Sequence, residues 1–198
     1  MRALLLKDFY TLKKRSLFML VLIAVFALMP GEGNTQSFLP VVFAAALPIT
    51  AMAYDERARW ERTAAALPYG RATIVLSRYA LGLICAAAAV ALILIGAAAR
   101  HAFGAYALDM SEVLGAGAAG LCFGALVMPF MHWLGVEKGR LAYFVGVAIM
   151  TGGLFAFKAM PGIGAAVNLQ AGWLPLGALA LDGVSALVSI WLYKRRAL

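Results

Sequence analysis

Apolar stretches alternate along the chain with short segments rich in charge. Six apolar runs stand out, at 16–30, 37–54, 72–99, 111–134, 141–157 and 172–193. A helical crossing of a bilayer takes about 20 apolar residues, so these runs predict six transmembrane helices. The first run is short unless a preceding helix extends it, and the third is long enough to tilt or to project from the bilayer. The pattern predicts an all-α membrane protein with a single transmembrane domain over 1–198.

Composition excludes the main alternatives to a membrane protein. Hydrophobic residues make up 64% of the 198 residues and charged residues 13%, and the mean hydropathy is +0.89. Soluble domains are about 45–50% apolar and about 25% charged. A small soluble domain cannot bury so much apolar surface, and a disordered chain carries far less of it. A soluble enzyme and a disordered protein are therefore excluded.

The basic residues predict the orientation of the chain. Fifteen of the 17 fall in four segments that share one side of a six-span topology: 1–15, 55–78, 136–140 and 194–196. Only Arg100 and Lys158 lie in the opposite loops. Because cytoplasmic loops are enriched in Lys and Arg, both termini are expected inside. The expected location is the cytoplasmic (inner) membrane of a prokaryote, as a multi-pass protein. The net charge of +8 is then a sign of orientation and not of nucleic-acid binding.

Residues 1–15 form a candidate interfacial helix before the first span. Leu5, Phe9 and Leu12 fall on one helical face, with Lys7 and Lys14 away from it. Arg2 and Lys13 border the apolar face, and their long stems could reach the headgroups. The alternative is that the segment is simply the cytoplasmic end of a long first helix.

The segment 55–70, directly after the second apolar run, carries the densest mixture of charges. Six of its first eight residues are charged, and Trp60 lies among them. Asp55 and Arg59 have the i, i+4 spacing of a stabilising helical ion pair, and Leu67-Pro68 is expected to end the helix. An ordinary solvated loop is the alternative. Mixed charge around a large aromatic is more typical of a docking surface.

This segment also carries a resemblance to a known family. Asp55-Glu56 at the end of a span, then Trp60-Glu61, Leu67-Pro68 and Arg71, resembles the permease subunits of type-2 ABC (ATP-binding-cassette) exporters. The opening Leu6-Lys7-Asp8 before a basic stretch is similar to the same family, as are the length and the six spans. The closest likeness is to small six-span half-transporters, some of which export amphipathic or antimicrobial peptides.

The resemblance implies partners and a site. A separate ABC ATPase subunit would hold ATP and Mg²⁺ and would dock on a coupling helix after span two, with no cofactor on this chain. A second permease copy, or a homologous permease, would complete a pathway for the exported substrate within the membrane lipid. The implied ATPase-coupling residues are Asp55, Glu56, Arg57, Arg59, Trp60, Glu61 and Arg62, with Glu137, Lys138 and Arg140 in the second cytoplasmic loop.

Signatures of catalysis and metal binding are missing from the sequence. No G-x-x-x-x-G-K-[ST] and no H-E-x-x-H occurs, and His101 and His132 fall on opposite sides of the predicted membrane. Cys85 and Cys122 both lie in apolar runs, as packed thiols do. We therefore expect no catalytic residue and no metal ligand, and an intramembrane enzyme is disfavoured.

Asp182 lies near the middle of the sixth span, with Ser185 and Ser189 on the same helical face. A charge at the bilayer centre costs at least about 2.5–3.5 kcal/mol, so this face should meet protein or water. The three residues are candidates for lining the translocation pathway. The alternative is a structural Asp that hydrogen-bonds to a neighbouring helix.

The rival function is the substrate-capture membrane component of a vitamin or small-solute importer. Such proteins also have about six spans in a chain of this size. They need a polar pocket near the outer face, whereas here the polar residues concentrate at the predicted cytoplasmic segment 55–70.

Overall fold

A computed structural model describes residues 2–28, 34–65, 70–102, 110–159 and 173–195. These ranges contain eight α-helices: α1 (Arg2–Arg15), α2 (Leu17–Leu28), α3 (Asn34–Arg57), α4 (Trp60–Ala65), α5 (Arg71–Ala102), α6 (Met110–Leu134), α7 (Val136–Ala159) and α8 (Leu174–Arg195). The all-α prediction is confirmed. The predicted stop at Leu67-Pro68 and the stretch 160–172 lie outside the described residues.

Among the helices that the structure describes, four are long and apolar enough to cross a membrane. The qualifying segments lie in α3, α5, α6 and α8, and α2 is a shorter apolar helix. They correspond to the predicted second, third, fourth and sixth spans. Helix α7 covers the predicted fifth span. A multi-pass helical protein is thereby confirmed, while the count of six spans and the orientation stay predictions.

Helix α6 occupies the centre of the bundle. It packs most extensively against α8 and also contacts α3, α5 and α7. Helix α5 has 32 residues and is therefore about 48 Å long, well beyond the roughly 30 Å of a hydrocarbon core. Large apolar side chains point away from the bundle on its outer helices, including Phe18, Leu141 and Leu187. Apolar side chains on the outside suit contact with lipid, because lipid tails offer no hydrogen-bond partner to a polar side chain.

Helix α1 exists as predicted, and the structure shows which of its faces packs against the bundle. Leu4, Asp8 and Leu12 are 4%, 1% and 4% exposed, whereas Phe9 is 60% exposed. Of the apolar face expected at the membrane surface, Leu12 packs against the bundle and Phe9 points away from it, so contact of this face with the membrane stays a prediction. The rotation of α1 follows from Asp8, because basic partners inside the bundle draw this acidic side chain inward and turn Phe9 outward.

Gly120 allows α6 to approach α3 closely. A Cβ atom at this position would overlap the side chain of Val41, which is completely buried in the main core. Gly124 lies one turn further along α6, and a Cβ atom there would meet nothing within 4 Å. Two glycines on the same helix thus differ in the contact that a methyl group would make.

We expect Gly120→Ala to destabilise the protein by about 1–3 kcal/mol, because overpacking displaces α3 from α6. Gly124→Ala should leave stability unchanged or raise it by up to about 1 kcal/mol, because alanine favours the helix. Thermal unfolding of both variants in the same detergent measures the difference. Equal effects of the two substitutions would show that the approach at Gly120 does not limit packing.

Candidate functional site

Four charged side chains meet where α1, the end of α3 and the N-terminal part of α5 converge. Lys7 Nζ lies 2.7 Å from Asp55 Oδ2 and 3.2 Å from Asp8 Oδ1. Arg78 Nη1 lies 2.7 Å from Asp8 Oδ2, and its Nη2 pairs with Asp55 Oδ2. We call these four residues the ion cluster. It joins three helices that are far apart in sequence.

Burial makes the charge balance of the ion cluster important. Asp8 and Arg78 are only 1% and 5% exposed, and the cluster contains two acids and two bases. A buried charge is tolerated only when it is paired, and removal of one partner from a buried pair costs about 3–5 kcal/mol. Burial lowers the pKa of the Lys7 ammonium, and the Arg78 charge lowers it further, against the opposing effect of Asp8. The cluster therefore depends on all four members.

The segment after the second span turns sharply instead of continuing as one helix. Helix α3 ends at Arg57, Arg59 has a positive φ of 51°, and α4 begins at Trp60. The expected Asp55–Arg59 ion pair is wrong, because Asp55 is held by Lys7 and Arg78 and Arg59 is exposed beyond the helix end. A short helix does follow the second span, but it is separated from α3 by this turn.

Trp60 folds back onto the ion cluster. Lys7 Nζ lies 4.4 Å from the centroid of the indole ring, within the range of a cation–π contact. Trp60 Nε1 is buried and has no hydrogen-bond partner among the described residues. A cleft of about 40 Å³ opens beside the ring, between Trp60, Arg78 and His132. That space is large enough for at least one water molecule, which could satisfy the indole N–H.

Glu56 connects the segment after span two to the second predicted loop. Its Oε2 accepts a hydrogen bond of 2.7 Å from the backbone N–H of Val136, the first residue of α7. Gly135 lies between α6 and α7 with a φ of 80°, a conformation that suits glycine. A carboxylate at the N-terminus of a helix satisfies an unpaired N–H and interacts favourably with the helix dipole. The two loops therefore form one connected surface.

The predicted ATPase-coupling residues divide into two groups in the structure. Asp55, Glu56 and Trp60 point into the bundle and bind other helices. Four others are exposed on the same end of the molecule: Arg57, Arg59, Glu137 and Lys138. The side chains of Glu61, Arg62 and Arg140 lie outside the part that the structure describes.

The polar face of α8 lies inside the bundle, as its spacing predicts. Asp182, Ser185 and Ser189 are all buried. The Ser185 hydroxyl donates to the backbone carbonyl of Ala125, and both serine oxygens lie 2.7 Å from the Tyr79 hydroxyl. Each hydroxyl has one proton. Tyr79 must then donate to Ser185, and Ser189 donates to Tyr79. The chain of hydrogen bonds therefore runs from Ser189 on α8 to Tyr79 on α5, back to Ser185 on α8 and on to α6.

Asp182 is set apart from this chain of hydrogen bonds. Its carboxyl group makes no ion pair or hydrogen bond with any described residue, and it borders a small cavity of about 20 Å³. Tyr79, Gly120 and Gly124 line the same cavity, which has room for about one water molecule. The serines thus have structural partners, whereas the carboxyl group faces a cavity.

Sequence reasoning missed four residues of this end of the bundle, among them Lys7, which was placed only on the polar side of the interfacial helix. Arg78 was counted only as a cytoplasmic charge, and neither Asp8 nor Tyr79 was assigned to the site. The available signal was position: Asp8 sits between Leu4 and Leu12 on a helical face, and Arg78 lies seven residues inside α5. Charged residues on otherwise apolar faces are expected to have partners inside the protein.

The helices and the charged end define a multi-pass membrane protein with an organised polar surface at one end of its bundle. Residues 3–194 match the family described as ABC-2 family transporter protein. The chain belongs to this family, and it is therefore a membrane component of an ABC transporter. Such components are generally non-catalytic and associate with an ABC ATPase. No curated protein and no solved structure matches the chain significantly.

We expect Asp8→Asn to lower the free energy of unfolding by about 3–5 kcal/mol, because it leaves the ion cluster with an unbalanced positive charge. The Lys7→Gln/Asp8→Asn double variant should lose less than Asp8→Asn alone, since it leaves Arg78 and Asp55 as a neutral pair. The exposed Lys14→Gln is the control and should change stability by less than about 0.5 kcal/mol. Thermal unfolding in detergent checks all three. A double variant less stable than the single one would contradict the charge-balance explanation.

Proposed function

We propose that this chain is the transmembrane subunit of an ATP-driven exporter and that its ATPase docks on the end of the bundle that carries α4. The observation that carries the proposal is the hydrogen bond from Val136 N–H to Glu56, which joins the segment after span two to the α6–α7 turn. A subunit that docks there would move both loops together. Membership of the ABC transporter family supports such a partner.

The exposed members of the predicted coupling set supply the docking surface in this proposal. Arg57 is the last residue of α3, Arg59 lies in the turn before α4, and Glu137 and Lys138 come from the start of α7. All four are exposed. Arg and mixed charge at a surface favour a specific protein partner. The positive φ of Arg59 supports this role, because strained non-glycine residues concentrate at functional sites.

The members that point into the bundle transmit the movement. A push on α4 acts on Trp60, whose ring lies against Lys7, and through Lys7 on Asp55 and Arg78. Helices α1, α3 and α5 would then shift as a group, because separation of the buried charges is costly. Rigid-body shifts of packed elements are one established form of switching transition.

The pathway itself is proposed to form between two permease subunits, either two copies of this chain or this chain and a homologue. Both termini lie in the cytoplasm in this arrangement, as the basic segments predict. The substrate class is an amphipathic or antimicrobial peptide, and Asp182 attracts its cationic side chains. The cavity beside Asp182 and the carboxyl group's lack of a described ion-pair partner support a role in the pathway.

We expect Arg59→Gly to weaken ATPase docking without harm to the permease. Glycine adopts a positive φ readily, so the turn is retained while the guanidinium is lost. Retention of the ATPase, identified by its G-x-x-x-x-G-K-[ST] motif after co-purification from native membranes, should fall by about tenfold. Lys14→Gln, another exposed basic residue, should retain the ATPase fully. Undiminished retention by Arg59→Gly would exclude this residue from the docking surface.

We expect Asp182→Asn to impair export while abundance and ATPase retention stay normal. ATP-dependent uptake of a fluorescent cationic amphipathic peptide into inverted vesicles should fall by about tenfold, which corresponds to a loss of roughly 1.4 kcal/mol. Asp182→Glu keeps the charge and should retain most of the uptake. Equal uptake by wild type and Asp182→Asn would assign Asp182 a structural role.

A further inference from the structure

Two tryptophans and an arginine surround a groove at the end of α6 and α8. The groove has a volume of about 320 Å³ and is lined by Trp133, Trp191, Leu192 and Arg195. Trp133 and Trp191 are 55% and 52% exposed, so both rings are open to the surroundings. They lie within the last turns of two helices that are long and apolar enough to span a membrane. Tryptophans at such positions lie at the level of the lipid headgroups.

Arg195 is held at this groove by two sets of contacts. Its guanidinium carbon lies 3.7 Å from the centroid of the Trp191 ring. The last turn of α8 is itself fixed to α5, because Arg71 Nη1 donates to the backbone carbonyl of Lys194 at 3.0 Å. Stacking uses the face of the guanidinium and leaves its N–H donors at the edge. Arg195 is therefore positioned to bind an anion in the plane of its guanidinium.

The charge around the groove favours an anionic partner. No acidic residue is among the four that line it. Lys194 is exposed next to Arg195, and the sequence continues with Arg196. An apolar wall beside a cluster of basic side chains at headgroup level matches the two parts of a phospholipid, its acyl chain and its phosphate.

We propose that this groove binds an anionic phospholipid, with its phosphate on Arg195 and an acyl chain along Trp133 and Leu192. A bound lipid fills the space between the ends of α6 and α8 and stabilises the helix pair that packs most extensively in the bundle. The site depends on the passage of α6 and α8 through a bilayer and not on the docking of an ATPase.

Native mass spectrometry of the purified full chain in detergent, titrated with dioleoylphosphatidylglycerol or dioleoylphosphatidylcholine, tests the site. The wild type should bind the first anionic lipid about fivefold more tightly than the neutral one, the ratio expected from one basic side chain. Arg195→Gln should abolish this preference. Trp191→Leu should weaken it, because Arg195 loses the ring that positions it. The Trp191→Leu/Arg195→Gln double variant should lose no more of the preference for the anionic lipid than Arg195→Gln alone, since both residues act on one phosphate.

Lys14→Gln is the matched control, because it removes an exposed basic charge from a different helix and should keep the preference. The proposal is overturned if Arg195→Gln keeps the wild-type preference or if Lys14→Gln loses it equally. It is also overturned if Arg195→Gln binds both lipids as the wild type does but loses the ATPase or a second permease copy. That result would make the groove a protein interface. Because lipid binding is measured without the ATPase, failure of the docking proposal would leave the lipid result unchanged.

Discussion

The burial of opposite charges in the ion cluster is the constraint on which the rest of this end of the molecule depends. Asp8 and Arg78 lie almost completely out of solvent, and neither is tolerable there without the other. Their pairing sets the rotation of α1 and brings Leu4 and Leu12 inward. Asp55 joins the end of α3 to the same group. Helix α1, which the sequence predicts as a surface helix, is therefore attached to the bundle by ion pairs as well as by apolar contacts.

The contacts of the ion cluster decide which charged side chains remain exposed on the surface that faces away from the bundle. Asp55 is paired with Lys7 and Arg78 and not with Arg59. Helix α3 ends at Arg57, and the chain turns before Trp60. Trp60 then covers Lys7, and Glu56 caps α7. The exposed charges that remain come from two loops held in a fixed relation. In the proposed function, docking and transmission belong to neighbouring residues of the same short segment, which differ in the direction of their side chains.

Within the apolar part of the bundle, polar groups need hydrogen-bond partners from the protein itself. Tyr79, Ser185 and Ser189 satisfy one another and the carbonyl of Ala125, because an unmade hydrogen bond in an apolar environment costs several kcal/mol. Asp182 borders a cavity instead. At the ends of α6 and α8, Trp133, Trp191 and Arg195 line the groove that we propose for a phospholipid. The bundle thus assigns different partners to its polar groups: other side chains, a cavity and the lipid headgroups.

The sequence alone determined the all-α membrane class, most helix positions and the polar face of Asp182, Ser185 and Ser189, because apolar length and helical period are local properties of the chain. It also indicated the family through the pattern at 55–71. It did not determine the inward face of α1, the turn at Arg59 or the roles of Asp8, Arg78 and Tyr79. Those depend on pairs separated by tens of residues, such as Lys7 with Asp55 and Tyr79 with Ser189. Only the tertiary structure decides them, because a buried charge or hydroxyl takes whichever partner the packed helices bring within reach.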